Sequence, residues 1–420
     1  MRILFLNDLE DERIGSSVRL VHQLAAHYRS LGHHTALATA VQDPKLAGRA
    51  EVRGLVVHRL HSDYNPRWRA WTSLDNPRTR EAFARVLAEE RPDLVHAHLV
   101  HQHLSYATLG ASRAAGAGVV HTAHDVMTFC HQKLTCFHGG EEHGGELRDY
   151  EARPSKCLPC QRLRWNPFRN ARIRRILERD VQRSTAVSEE LGRALRANGL
   201  RVDRVVHNAL EPRADSPRPE AVRALRAKFG VEGCRLVAIG GRLHEQKGVK
   251  QLLRMLRLLA PRFADLRLFV MGRRDVYERE FEPLARELGV AGLVVPTGWL
   301  EGDELQAALS AVDVFVTPSI CFDTFGMVNL EAMEHGKPVV ATVFGGSPEV
   351  VVDGITGYVR NPFQIESYAA AVGELLADPA LRQRMGEAGR SRLEQCFLLP
   401  RMAGEYLEEY DAARRALADG

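Results

Sequence analysis

Two carboxylates and two cations stand at spacings that suit a charged, elongated ligand. The stretch "PSICFDTFGMVNLEAMEHG" (318–336) carries Asp323 and, eight residues on, Glu331. Between them Phe325–Gly326 reads as a helix start, continued by Met327 and Val328, with Gly336 as a natural stop. The first turn of a helix offers unpaired N–H groups and the positive dipole end, and Gly326 admits a close phosphate or sugar. Eight helical residues would set the acids roughly 12 Å apart. That is the order of length of a sugar, a diphosphate and a ribose in line. Glu331 could then accept from ribose hydroxyls, and Asp323 from hydroxyls of the sugar. The plainer alternative makes Asp323 a helix cap and Glu331 a solvated side chain. Upstream, "GRLHEQKG" (241–248) follows the apolar run "RLVAIG". Gly241 lets the chain turn tightly. Arg242 offers a forked grip and Lys247 a point charge, a pair suited to a diphosphate. The alternative is a surface loop with two solvated cations.

Elements must place these residues at strand ends. Short runs rich in Val, Leu and Ile alternate with longer helical patterns. The first set is "ILFL", "TALAT", "LVVHRL", "LVHAH", "GVVHTAH", "STAVS" and "RVVHN". The second is "RLVAIGG", "LRLFVMG", "LVVPTG", "DVFVTP", "KPVVAT" and "GYV". Near-continuous apolar runs suit strands buried on both faces, and the alternation predicts two doubly wound parallel α/β domains. Helices are predicted at 17–31, 81–90, 101–115, 188–198, 247–260, 276–288 and 303–311. The Pro- and charge-rich "NALEPRADSPRPEAV" (208–222) marks the break between a first domain, 1–210, and a second, 211–398. The helical tail 399–420 has apolar residues at helical spacing and is expected to dock on the first domain. Ligands of such sheets bind beyond the carboxyl ends of the strands, so the cleft between two such domains is the expected site.

The bulk numbers exclude several classes. The 420 residues are 45% apolar and 26% charged, values of an ordinary globular protein. A net charge of +4 is too weak to argue for nucleic acid. No apolar run reaches the ~18 residues of a membrane span. "MRILFLNDLEDE" turns acidic after six residues and reads as a first strand, not a signal peptide, so a cytoplasmic location is the default. Oligomeric state is left open.

In order and spacing, these motifs closely resemble the nucleotide-sugar half of the retaining glycosyltransferases of family 4, which have the GT-B fold. "IGSSVRLVHQLAAHYRSLGHHTALAT", "RPDLVHAH", "VVHTAHD", "STAVSEEL" and "VVHNALEP" resemble signposts of the family's first half. The resemblance implies that Arg242 and Lys247 contact the donor diphosphate, Glu331 holds the ribose and Asp323 lies near the donor sugar. It implies that the N–H groups of Phe325, Gly326 and Met327 meet sugar or phosphate, with Gly241 and Val328 in the same donor site. His124, in "HTAHD", matches the histidine that faces the reacting sugar; read by itself, its alternative is a strand-end turn. Gly15 and Ser16 lie in the loop that approaches the donor from the other side. Two departures stand out: Asp323 replaces a usual Glu, and "GSS" replaces a usual glycine pair. The implied reaction moves a sugar from a UDP- or GDP-linked donor to a hydroxyl acceptor in glycan, polysaccharide or glycoconjugate synthesis, a hexosyltransferase with retained anomeric configuration. Preorganised cations at the leaving diphosphate can replace a metal, so no catalytic cofactor is expected. The alternatives are a sugar-nucleotide epimerase of the same fold and a non-catalytic sugar-nucleotide-binding subunit.

Two further features are read from the residues. "RLRWNPFRNARIRRILERD" (162–180) combines Arg with Trp165 and Phe168 and can lie peripherally on an anionic membrane face; the alternative is an ordinary helix flank packing inward through Ile173, Ile176 and Leu177. Four of the seven cysteines, Cys130, Cys136, Cys157 and Cys160, crowd a polar, glycine-rich insertion at 130–160, expected beside His124 at the acceptor pocket. Four thiolates with one close pair suit structural zinc, with His131, His138 and His143 as alternative ligands; free thiols, disulfides and an iron–sulfur centre are the other readings. The zinc reading predicts about one zinc per chain by metal analysis. Well under one, with stability unchanged in chelator, contradicts it.

Overall fold

The computed structural model describes residues 1–11, 15–213 and 217–419. The side chain of Ser16 and residues 214–216 of the expected linker lie outside the described part. The chain forms two compact units. The first comprises Met1–Leu134, Asp149–Glu211 and the C-terminal stretch from Leu399; the second comprises Thr135–Arg148 and Pro212–Leu398.

The first unit holds an eight-stranded sheet. Its strands are β1 (Arg2–Leu6), β2 (His34–Val41), β3 (Gly48–Val52), β4 (Leu55–His61), β5 (Leu94–Ala97), β6 (Gly118–Ala123), β7 (Arg183–Ala186) and β8 (Arg204–Val205). The order is β3-β4-β2-β1-β5-β6-β7-β8, parallel throughout except for β3 on β4. The winding reverses between β1 and β5. β1, β5 and β6 are apolar runs buried on both faces, as their sequences require. β3 has no such signal. It is the charged edge "GRAEV", joined to β4 by Arg53 and Gly54, both at positive φ (50° and 74°), as a two-residue hairpin demands. The helix expected at 101–115 begins only at Ala107. Buried Asp8, just past β1, accepts the backbone N–H groups of Gln102, His103 and Leu104 at 2.7–2.8 Å, so this stretch is satisfied as a loop.

The C-terminal helix Leu399–Ala418 packs on β6 and on the helix Ser16–Ser30. Tyr406 and Tyr410 are fully buried in that seam. Tyr28 donates to the Ala403 carbonyl at 2.9 Å, and the Tyr410 hydroxyl meets His96 Nδ1 at 2.7 Å. Glu409, buried, receives Arg183 Nε at 2.7 Å.

The second unit holds a six-stranded, wholly parallel sheet. Its strands are β9 (Arg235–Gly240), β10 (Leu266–Met271), β11 (Val294–Pro296), β12 (Val314–Thr317), β13 (Val339–Thr342) and β14 (Gly357–Arg360), in the order β11-β10-β9-β12-β13-β14. The core lies between this sheet and helices such as Val249–Leu259 and Ile365–Ala377. The helix expected at 276–288 is two, Arg274–Glu280 and Glu282–Glu287. Pro283 lacks an N–H and its ring cannot share space with the carbonyl four residues back. Winding reverses between β9 and β12, so the loops after these strands flank a topological switch point, where open α/β sheets bind ligands.

Candidate functional site

The sequence-predicted donor residues of the second unit converge at this switch point. Past β9, Gly241 turns at φ 104° and leads to exposed Arg242. A single turn, Glu245–Lys247, is capped by His244 and closed by Gly248 at φ 75°. A Cβ on Gly248 would lie 1.8 Å from the Pro318 carbonyl oxygen, so only glycine lets the loops after β9 and β12 meet so closely. The Ile320 N–H then donates to the Gln246 carbonyl at 2.9 Å.

That approach pairs Lys247 Nζ with Asp323 Oδ2 at 3.1 Å. Ser319 Oγ donates to the same oxygen at 3.2 Å. Asp323 is 9% exposed. Burial pulls the Lys247 ammonium pKa down, but the charge of Asp323, with Cys321 beside it, outweighs this and raises it. The lysine is therefore held charged. The backbone of Asp323 is fixed as well: its carbonyl accepts the Gly346 N–H at 2.7 Å, and a Cβ on Gly345 would lie 2.0 Å from that oxygen.

The next helix spans Met327–Glu334, with Gly326 at its N-cap in the left-handed region (φ 78°). Gly326 itself has no side chain to cap with, and no acid lies in the helix's first turn. Met327, Asn329 and Leu330 are buried, whereas Val328 and Glu331, three residues apart, are half-buried on one face. Asn329 locks the cap by taking Thr317 Oγ1 at 2.9 Å and lying under Gly326, where a Cβ would clash at 2.5 Å.

The first unit gathers imidazoles at the ends of β5 and β6. His124 Nε2 lies 2.7 Å from His98 Nδ1, with the rings stacked at 4.9 Å. Asp125 Oδ2 holds His101 Nε2 at 2.9 Å and Oδ1 accepts the Met127 N–H at 2.8 Å. Burial drives His124 and His121 down to about 4. His96 and His98 fall well below the usual range for the same reason, reinforced by neighbouring imidazoles. Burial works to raise Asp125, but His101 and the Met127 N–H hold it at about 2. The site thus presents neutral imidazoles beside one carboxylate. Gly15 is extended (φ −169°) at the N-cap of the helix Ser16–Ser30, a backbone any residue adopts.

The cysteines are placed differently from the acids. Cys157 and Cys160 sit on the helix Pro154–Gln161. Among the described residues the one set of three or more groups close enough to share a metal is His58, Glu89 and Glu90, which contains no cysteine. Glu90 is an ion-pair hub, 2.8 Å from both His58 Nε2 and His34 Nε2, at the amino ends of the strands and away from His124. The tip of the insertion packs within the second unit. Phe137 rests on Phe322 (5.6 Å) and Phe344 (5.4 Å), and His138 Nε2 meets the Ile320 carbonyl at 2.7 Å. The sequence reading treats Phe137 only as chain between two cysteines; nothing local links it to a loop nearly two hundred residues away.

Comparison with known proteins follows these halves. Residues 17–214 match the family described as Glycosyltransferase Family 4, and residues 222–392 match Glycosyl transferases group 1. A GDP-mannose-dependent alpha-(1-6)-phosphatidylinositol monomannoside mannosyltransferase of Mycolicibacterium smegmatis is 37% identical over 181 residues, 42% of this chain and 47% of that protein. The match thus spans about half the length of that relative. Spore coat protein SA of Bacillus subtilis is 24% identical over 91% of both chains. Among solved structures, sucrose-phosphate synthase from Thermosynechococcus elongatus superposes with a TM-score of 0.76 at 20% identity, covering 100% of this chain and 99% of that one. Anabaena HepE in complex with UDP gives 0.74 at 19%, covering 98% and 100%. These likenesses show the fold, two doubly wound α/β domains of the GT-B class.

Four buried imidazoles that the fold keeps neutral must become free to protonate on unfolding. Stability is therefore full above the ordinary histidine pKa of about 6.5 and falls as pH drops through about 4. Thermal unfolding is expected at a lower midpoint near pH 4.5 than near pH 7 (both about); equal midpoints contradict the neutral cluster.

Proposed function

We propose, from the premise that the chain belongs to the glycosyltransferases described by the family 4 and group 1 matches, that it transfers a sugar from a nucleoside-diphosphate sugar, UDP- or GDP-linked, to a hydroxyl acceptor with retained configuration. The observation that carries this is the convergence at the β9/β12 switch point. There Arg242 follows β9, Lys247 is held charged on Asp323, and a helix starts at Gly326–Met327. The names of the relatives, one GDP-mannose-dependent and one complexed with UDP, support a nucleotide-sugar donor.

The chemical difficulty is negative charge growing on the departing diphosphate. Arg242, Lys247 and the N–H groups at Phe325, Gly326, Met327 and Val328 supply fixed positive potential where that charge develops. Gly241 keeps the approach open: a Cβ there would meet nothing within 4 Å. Glu331 shares the open helix face with Val328 and would take the ribose hydroxyls. Asp323, one carbon shorter than the usual Glu, has two tasks: it keeps Lys247 in place before the donor arrives, and it accepts a sugar hydroxyl from the same loop. In the first unit His124 offers a neutral imidazole. That suits a group that orients a sugar and tolerates positive character without adding charge. On this account catalysis needs no metal, and structural zinc on the four cysteines rests on their spacing alone.

The acceptor is approached from a surface of the first unit, where Leu163 and Phe168 are exposed (103% and 66%) beside Arg162, Arg164 and Arg172. Asn166 ties this segment to the Ala70 carbonyl at 3.1 Å, next to exposed Trp68 and Trp71. Apolar anchors among arginines suit peripheral contact with an anionic membrane. No helix among the described residues is long and apolar enough to cross one.

Arg242→Ala and Lys247→Ala are each expected to lower turnover on the order of a hundredfold, the usual cost of one lost electrostatic donor. Near-wild-type turnover in both contradicts the assignment. Co-sedimentation with phosphatidylglycerol vesicles is expected at low salt and reduced at high salt; no binding at low salt counts against the membrane surface.

A further inference from the structure

The tip of the cysteine-rich insertion, 135–148, looks in sequence like a loose polar loop, "TCFHGGEEHGGELR". It is not loose. Phe137 is completely buried and His138 is 4% exposed. The glycines lie where side chains would collide: a Cβ on Gly145 would come 2.5 Å from the Phe363 ring, and one on Gly139 2.7 Å from Leu147. The Gly144 carbonyl accepts Asn361 Nδ2 at 2.6 Å. Arg254 meets Glu141 at 3.1 Å. The segment is a fitted part of the second unit.

What it fits against is the loop after β12. A carbonyl only accepts, so His138 Nε2 must donate to Ile320. Its Nδ1 accepts the Gly140 N–H at 2.8 Å. One neutral tautomer satisfies both bonds, whereas a second ring proton would point at the Gly140 N–H. The His138 ring also stacks on Phe344 at 5.1 Å. The loop thus has a floor from its own strands, Thr342 Oγ1 to the Ser319 carbonyl at 2.8 Å, and a brace from the insertion. Asp323 follows three residues after the braced Ile320.

We propose that Phe137 and His138 are positioning residues of the donor site: they hold the 319–323 loop so that Asp323 keeps its place against Lys247 and the donor sugar. What the loop does rests on the glycosyltransferase reading; that the insertion holds it does not. The insertion would then act on the sugar end of the donor and leave the Arg242 and Glu331 contacts untouched.

The test pairs two readouts on Phe137→Ala, His138→Ala and His138→Gln. By hydrogen–deuterium exchange, the first two are expected to speed exchange of the 319–326 amides by about tenfold or more, with β9 unchanged. In transfer assays kcat is expected to fall roughly tenfold to a hundredfold while UDP or GDP affinity stays within about threefold. His138→Gln, whose carboxamide can still donate to Ile320, is expected to recover most of both. Unchanged exchange, unchanged kcat in a loosened loop, or a parallel loss of nucleotide affinity and kcat each overturn the proposal. A wild type that transfers no sugar overturns the glycosyltransferase reading instead, and the exchange result still decides whether the insertion holds the loop.

Discussion

The contact between Lys247 and Asp323 at 3.1 Å depends on two loops passing closer than side chains allow. Gly248 is pressed on the Pro318 carbonyl, and Gly345 on the Asp323 carbonyl. Any Cβ at either point would push the loops apart and separate the charges. The half-buried lysine keeps its proton because the carboxylate is fixed beside it, and the carboxylate is fixed by Ser319, Gly346 and its surroundings. The sheet order makes this meeting possible, since β9 and β12 are neighbours although β10 and β11 intervene in sequence. A cation, an acid and a helix start are thereby gathered at one strand edge, and the donor reading follows from that gathering.

The first unit works with different electrostatics. Its strand ends carry imidazoles that burial keeps neutral, with Asp125 tied to His101 and Asp8 to the N–H groups of Gln102, His103 and Leu104. The C-terminal helix serves the first unit from behind, where Tyr410 and Tyr406 reach the His96 and Thr122 side chains that lie under the cluster. An end of the chain remote in sequence thus fixes the floor beneath His124.

Much of this was legible in the sequence because it follows strong local rules. Apolar runs gave the buried parallel strands, and Gly326 and Gly241 marked the helix start and the turn before Arg242. Asp323 and Glu331 were visible as a spaced pair. What local rules do not carry was not legible. β3 is a charged edge held by its hairpin turn, with no apolar pattern to announce it. The late start of the helix at Ala107 depends on Asp8, about a hundred residues earlier. The contact of Asp323 with Lys247 required knowing which strands are neighbours. The placement of Phe137 and His138 required knowing where an insertion goes, and its glycines read as flexibility when they serve close packing.

The central claim is that the β9/β12 edge of the second unit is a nucleotide-sugar donor site. A crystal structure with UDP or GDP bound tests it most directly. The account predicts diphosphate oxygens within hydrogen-bond reach of Arg242, Lys247 and the N–H groups at the start of the helix Met327–Glu334, with the ribose hydroxyls on Glu331. A nucleotide bound elsewhere, with these groups untouched, would contradict it.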